Sequence, residues 1–223
     1  MADPGATRTA IMIVDDHPIV RQGLRMIIER RKGFSVTAEA SSANEAIRII
    51  ADKNPDIVIA DISLEGNVNG IELVKAIRER FPEVVTLVLS MYDESLYAER
   101  AIRAGARGYV MKKEADETII TAIETVMAGE LYLSERSAKN IVGKLLATRD
   151  GSELLPENAL SDRELEIFIM IGDGTPAREI ARSLGISLNT VETHRRHIKE
   201  KLRFADLNEL VKSAVQWNVR NRR

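Results

Sequence analysis

One stretch constrains the fold more than any other. Ile57-Val58-Ile59-Ala60-Asp61-Ile62-Ser63-Leu64 is a short apolar run that leads straight into a carboxylate. Its length, and its bounds at Pro55 and the turn-prone segment 66–70, fit a strand buried on both faces. Asp61 then falls at the carboxyl edge of a parallel sheet, where open α/β sheets place their ligands. A lone Asp there reads first as a solvent-facing strand end. Its neighbours decide otherwise.

Residues 10–14 form a second apolar run, which ends in Asp15-Asp16-His17-Pro18. Pro18 suits the first turn of a helix, with His17 as its cap. Ile19, Val20, Leu24, Ile27 and Ile28 are expected on the inner face of that helix. Residues 34–40 alternate like an edge strand. Residues 44–51, 71–81, 95–104 and 115–128 read as helices, the last two stopped by Gly105 and Gly129. Residues 84–89 and 107–111 are strands that run into Ser90 and Lys112. Five strands alternating with five helices predict an α/β fold: a doubly wound, five-stranded parallel sheet of flavodoxin-like order 2-1-3-4-5. That order gathers the carboxylates of Asp15, Asp16 and Asp61, the Ser90 hydroxyl and the Lys112 ammonium around one point.

Clustered carboxylates repel, and a hard divalent cation relieves them; oxygen ligands suit Mg²⁺. A carboxylate beside such an ion can act as nucleophile toward a phosphoryl group and become an aspartyl phosphate. Lys112 would neutralise charge on the phosphoryl oxygens, and Ser90 could donate to one of them. Lys113 reads as a solvated lysine.

Residues 10–128 resemble the receiver domain of two-component response regulators. Asp15 and Asp16 match its acidic pair, Asp61 its phosphoacceptor, Ser90 its switch hydroxyl, Tyr109 its switch aromatic and Lys112 its lysine. The resemblance implies that the backbone carbonyl of Ser63 is a further metal ligand and that a histidine kinase donates the phosphoryl group. One departure concerns the loop 64–69. The family places Pro four residues and Gly eight residues after the phosphoacceptor; here Glu65 and Gly70 stand four and nine after it.

Charge divides the chain. Its 223 residues carry a net charge of -2, yet residues 1–155 hold 20 basic and 24 acidic side chains while residues 187–223 hold nine basic and four acidic. A basic C-terminal segment on an acidic body implies two domains with different partners. The expected organisation is a receiver at 1–128, a linker at 129–157 and a DNA-binding domain at 158–223. The linker carries one short helix at 137–147, with Ile141, Val142, Leu145 and Leu146. There is no cysteine, no apolar run of membrane-spanning length, and the start resembles no secretory signal. A cytoplasmic protein without a membrane partner is expected.

In the second half Ser161 and Glu164 form a capping-box pattern before an apolar run. Gly172-Asp173-Gly174 breaks the helix, and Thr175-Pro176 restarts it with Thr175 as cap. Gly185 turns the chain, residues 187–203 form a third helix and 208–217 a fourth, so this half reads as a small all-α helix-turn-helix domain. At 100° per residue Val191, Ile198 and Leu202 face inward, while Glu192, Thr193, Arg196, Lys199 and Arg203 form a polar stripe. Basic residues in that stripe favour phosphate contact.

This half resembles the LuxR-type domain at residues 160–166, 179–181 and 190–202, and the whole chain is similar to NarL/FixJ-type regulators. The resemblance implies that Glu192, Thr193 and Arg196 approach bases, and that Thr190, Lys199 and Lys201 lie at the phosphates of double-stranded DNA. His194 is read as part of the helix packing and His197 as exposed. Arg203-Phe204 stand where the family usually ends in Gly. The expected function is a transcription regulator, not an enzyme, in which aspartyl phosphorylation controls homodimerisation and DNA binding. One rival is a regulator whose receiver acts without phosphate. Another is an Asp-nucleophile phosphatase, though such enzymes commonly need a second Asp where Ser63 stands. A flavin binder is disfavoured, because Asp15-Asp16 would repel its phosphate.

Overall fold

The computed structural model describes residues 8–66, 68–147 and 156–221. The polar stretch 148–153 and Leu154-Leu155 of the expected linker lie outside the described residues, as do the side chains of Leu145 and Leu146. The chain divides into two compact units, with the main boundary between Gly143 and Lys144.

The first unit alternates β1 (Thr9–Val14), α1 (Pro18–Ile28), β2 (Phe34–Ala40), α2 (Ala43–Lys53), β3 (Ile57–Asp61), α3 (Gly70–Arg80), β4 (Val85–Ser90), α4 (Glu94–Ala104), β5 (Gly108–Met111) and α5 (Ala115–Met127), and α6 (Glu135–Ala147) follows. The sheet is parallel with order β2-β1-β3-β4-β5. Successive side chains of a strand point to opposite faces. In β3, Ile57 and Ile59 therefore join Leu24 and Ile28 of α1 and Ile119 and Ile123 of α5. Val58 and Ala60 pack on the other face against Ala46 and Ile50 of α2 and Leu73 and Ile77 of α3. Both parities must be apolar, which is why the run is unbroken. Each fully buried Ile contributes about 1.5–3 kcal/mol.

Ile19 departs from expectation. It is 76% exposed, because on the helical wheel it stands about 100° from Val20 and further still from the buried Leu24 and Ile28. The free edge of β5 is covered by a segment read as linker. Tyr132 N–H donates to the Arg107 carbonyl at 3.0 Å, and Tyr109 N–H donates to the Tyr132 carbonyl at 3.0 Å.

The second unit contains α7 (Pro156–Ala159), α8 (Asp162–Gly172), α9 (Ala177–Ser183), α10 (Leu188–Lys201) and α11 (Leu207–Asn221). The capping box at Ser161 and Glu164 is present. At α9 the cap is Pro176 rather than Thr175, with ψ 146°. Thr175 N–H donates back to the Met170 carbonyl at 3.0 Å, so Thr175 closes the end of α8 instead of opening α9. Ile180, Leu184, Val191 and Ile198 fill the core between α8, α9 and α10. Phe168 of α8 meets Trp217 of α11 edge to face, with ring centroids 5.8 Å apart. Gly172 is required where the two helices cross, since a β carbon there would lie 2.5 Å from the Ala214 carbonyl oxygen. Past α10, Arg203 takes φ +58°, the left-handed conformation that the expected glycine would adopt without strain. Among the described residues no helix is long and apolar enough to cross a membrane.

Candidate phosphoacceptor site and nucleic-acid interface

Asp61 is the last residue of β3, Asp15 follows β1 directly, and Lys112 follows β5. Since β1 neighbours β3, the two carboxylates arise side by side. Strands lie about 4.8 Å apart, so the Lys112 side chain crosses the end of β4 to reach Asp61. Its Nζ stands 2.6 Å from Asp61 Oδ2 and 2.7 Å from Asp15 Oδ2. All three side chains are largely buried. The Asp16 side chain is mostly covered as well, and its Oδ1 is 2.5 Å from Nδ1 of the exposed His17. The His17 side chain caps nothing; its backbone N–H instead donates to Asp15 Oδ1 at 2.8 Å, which fixes that carboxylate. Ser63 N–H donates to Asp61 Oδ1 at 3.2 Å.

Burial pushes the Asp61 carboxyl up to about 6, with the Asp15 charge adding to it and Lys112 opposing. For Lys112 burial acts to lower the pKa, but the carboxylates of Asp61 and Asp15 outweigh it and the ammonium is held. Three carboxylates around one ammonium leave an excess of negative charge. Asp15, Asp16, His17 and Asp61 each offer a ligand atom within 4.8 Å of the others. Asp15 Oδ2 is buried and, although paired in charge with Lys112, accepts no directed hydrogen bond. A hard oxygen-ligated cation such as Mg²⁺ fits this donor set.

Ser90 is fully buried at the end of β4, and its Oγ accepts from Tyr92 N–H at 3.1 Å. The Tyr109 ring already points inward. It is 2% exposed, and its hydroxyl donates to the Tyr92 carbonyl at 2.9 Å. Tyr92 itself stacks on Tyr97 with centroids 4.8 Å apart; neither was singled out by sequence, because their role arises only from the fold.

Gly70 resolves most of the altered loop, of which Asn67 lies outside the described residues. Asn69 caps α3, its Oδ1 accepting from Glu72 N–H at 3.0 Å. Gly70 N–H donates to the Ile62 carbonyl at 2.8 Å. A β carbon on Gly70 would lie 1.8 Å from the Asp61 carbonyl oxygen. The extra residue is thus absorbed before Gly70, which keeps the close approach.

On α10 the expected DNA-binding residues separate into two groups. Glu192 Oε1 is held by Arg195 at 2.8 Å. Lys201 Nζ is 2.6 Å from Glu164 Oε2. Thr190 Oγ1 lies 2.7 Å from Ser187 Oγ, and Thr193 Oγ1 donates to the Asn189 carbonyl at 2.9 Å. Arg196 is exposed and Lys199 half-buried, and the described residues offer neither an ion pair. Ser187 caps the helix by accepting from Thr190 N–H at 3.0 Å.

An acidic pocket at the carboxyl edge of a doubly wound sheet, joined to a helix-turn-helix unit, defines a regulator with a phosphoacceptor module and a DNA-binding module. The chain belongs to the LuxR-family response regulators: residues 11–124 match the response regulator receiver domain, and residues 158–214 match the bacterial regulatory proteins of the luxR family. It is a phosphorylation-regulated transcription regulator. It is 35% identical over 209 residues to the oxygen regulatory protein NreC of Staphylococcus haemolyticus strain JCSC1435, covering 92% of this chain and 96% of that one. A LuxR-family response regulator from Aurantimonas sp. SI85-9A1 is 41% identical over 62% of this chain and 99% of its own, with a TM-score of 0.57. RcsB from Salmonella enterica serovar Typhimurium, bound to promoter rprA, shares the fold at 24% identity, covering 92% of this chain and 97% of that one, with a TM-score of 0.60.

Proposed function

We propose that Asp61 is the phosphoacceptor, that Asp15, Asp16, Asp61 and the Ser63 carbonyl hold Mg²⁺, and that a histidine kinase is the donor. The observation that carries this reading is the Lys112 ammonium shared by Asp61 and Asp15 at 2.6 and 2.7 Å. An Asp61 oxygen attacks phosphorus, and the bond from phosphorus to the donor breaks with its electron pair leaving on the donor. Lys112 then turns to the phosphoryl oxygens, and the Ser90 hydroxyl donates to one of them, leaving its bond from Tyr92. Bound Mg²⁺ would add positive charge at the same oxygens. New charge of about -1.5 to -2 on a buried carboxylate is the switch, read through Ser90 and the Tyr109–Tyr92 contact.

The proposed domains are a receiver at 1–128, a linker at 129–157 and a DNA-binding domain at 158–223, in a cytoplasmic protein. Phosphorylation controls homodimerisation and binding to double-stranded DNA. Leu207, Val211, Val215 and Val219 support dimerisation: all are exposed and recur every four residues along α11. Incubation with a small phosphoryl donor and Mg²⁺, followed by intact mass, tests the reading. One added phosphate is expected on the parent and none on Asp61→Asn; a normal mass gain on Asp61→Asn removes the assignment.

A further inference from the structure

The chain has three histidines, and two of them lie three residues apart on α10, outside the stripe expected to face DNA. On the helical wheel His194 and His197 stand about 60° apart, with Lys201 between them, and Arg196 lies roughly 100–160° away. Their flank of α10 faces Glu164 in the first turn of α8. The two oxygens of Glu164 differ. Oε2 accepts from Ser161 N–H at 2.8 Å and pairs with Lys201. Oε1 accepts no hydrogen bond from a described residue and stands 4.0 Å from His197 Nδ1. His194 Nδ1 is buried without a partner. Each of the three residues offers a ligand atom within 4.8 Å of the others.

We propose that Glu164, His194 and His197 form a site for a divalent transition-metal ion, typified by Zn²⁺, that braces the recognition helix against α8. Two imidazoles and one carboxylate are a borderline donor set that suits zinc and its neighbours rather than magnesium. Zinc also binds oxygen donors, so excess Mg²⁺ is needed to keep it from the acidic pocket of the receiver. A tetrahedral zinc site needs ligand atoms about 3.3 Å apart, and His197, 45% exposed in its side chain, is free to rotate inward. Water would complete the site. Lys201 on the other Glu164 oxygen opposes a cation and makes the site weaker than one built for zinc alone. The base-facing stripe stays uncovered, so a bound ion stiffens α10 without blocking Arg196. Ligation would add to the helix-packing role that the sequence assigns to His194, and the open Glu164 oxygen that suggests it is visible only in the fold.

The test is calorimetric titration of the full, chelator-treated chain with Zn²⁺ in excess Mg²⁺, with Co²⁺ as a spectroscopic stand-in. The expected result is one zinc per chain and a visible cobalt band. His197→Asn should lose at least tenfold in zinc affinity, and Glu200→Gln, an exposed carboxylate on the same helix, should bind as the parent does. Zinc should raise the melting temperature of the parent but not of His197→Asn. The proposal is overturned if the parent binds no zinc under excess magnesium, or if His197→Asn keeps the parent's affinity.

Discussion

Gly70 packs directly on the backbone carbonyl of Asp61, where a β carbon would come within 1.8 Å of the oxygen. Both the Gly70 N–H and the Asp61 carbonyl lie in regular structure, at the start of α3 and the end of β3, so neither can yield cheaply. Gly70→Ala should destabilise the receiver by about 2–4 kcal/mol through this clash. It should also slow phosphorylation, because the displaced carbonyl carries the Asp61 side chain with it. Urea unfolding and the initial rate of mass gain report the two effects; unchanged values for both would mean the loop relaxes freely.

The Asp61 carboxyl gives the metal-free protein a distinct pH dependence. Its pKa is pushed up to about 6, chiefly by burial, above the ordinary Asp value of about 3.9. The folded state therefore holds this proton more tightly than the unfolded state. The contribution is fully present below about pH 4 and is lost as pH rises through about 6. Asp61→Asn cannot ionise, so in chelator at pH 7.5 it should exceed the parent in stability by on the order of 1–3 kcal/mol. The gap should close toward pH 4. Urea titrations at several pH values check the sign; a gap that widens on acidification contradicts it.

Much of the site could be read from the sequence because strand ends carry it. An unbroken apolar run such as 57–60 has one stable place, the middle of a sheet covered on both faces. Asp15, Asp61, Ser90 and Lys112 are each the residue at or just past the end of such a run. Contacts that depend on three-dimensional closure were not legible in this way. No pattern announces that Tyr132 pairs with β5 or that Tyr109 donates to the Tyr92 carbonyl. Nor does charge alone say that Lys201 is spent on Glu164 while Arg196 is not. The α9 cap was misplaced by one residue: Thr175 has the right chemistry, but the first helical hydrogen bond, from Ile180 N–H, is accepted by the Pro176 carbonyl.

The start of the expected linker is tied to elements that border the sheet edge carrying Asp61. Tyr132 exchanges backbone hydrogen bonds with β5 beside Tyr109, and Ser134 N–H donates to Glu94 Oε1 of α4 at 2.8 Å. A shift of α4 on phosphorylation would pull on residue 134. Glu94→Ala should therefore be phosphorylated at the parental rate. Its gain in DNA affinity on phosphorylation should shrink by about 1 kcal/mol, roughly fivefold, the worth of one such hydrogen bond. Intact mass and a fluorescence titration against operator DNA separate the two readouts. An undiminished gain would show that the link carries no signal.

Arg196 and Lys199, the two cations of α10 that pair with no described residue, have separate roles on DNA. Arg196 lies on the stripe expected to enter the major groove, and its guanidinium is free of any ion pair to a described residue, so it can address a base edge directly. Glu192 is less available, since its carboxylate must first leave Arg195. Arg196→Ala should then cost on the order of 1–3 kcal/mol on operator DNA and relax preference at one position of each half-site. Lys199 stands at the flank of the same stripe and suits a phosphate. Lys199→Ala should weaken operator and scrambled duplex alike and flatten the salt dependence by about one unit for each phosphate the lysine neutralises. Fluorescence titrations of both variants against both duplexes, at several salt concentrations, distinguish the roles. Parental binding of both duplexes by Arg196→Ala would place the recognition surface on another face of the helix.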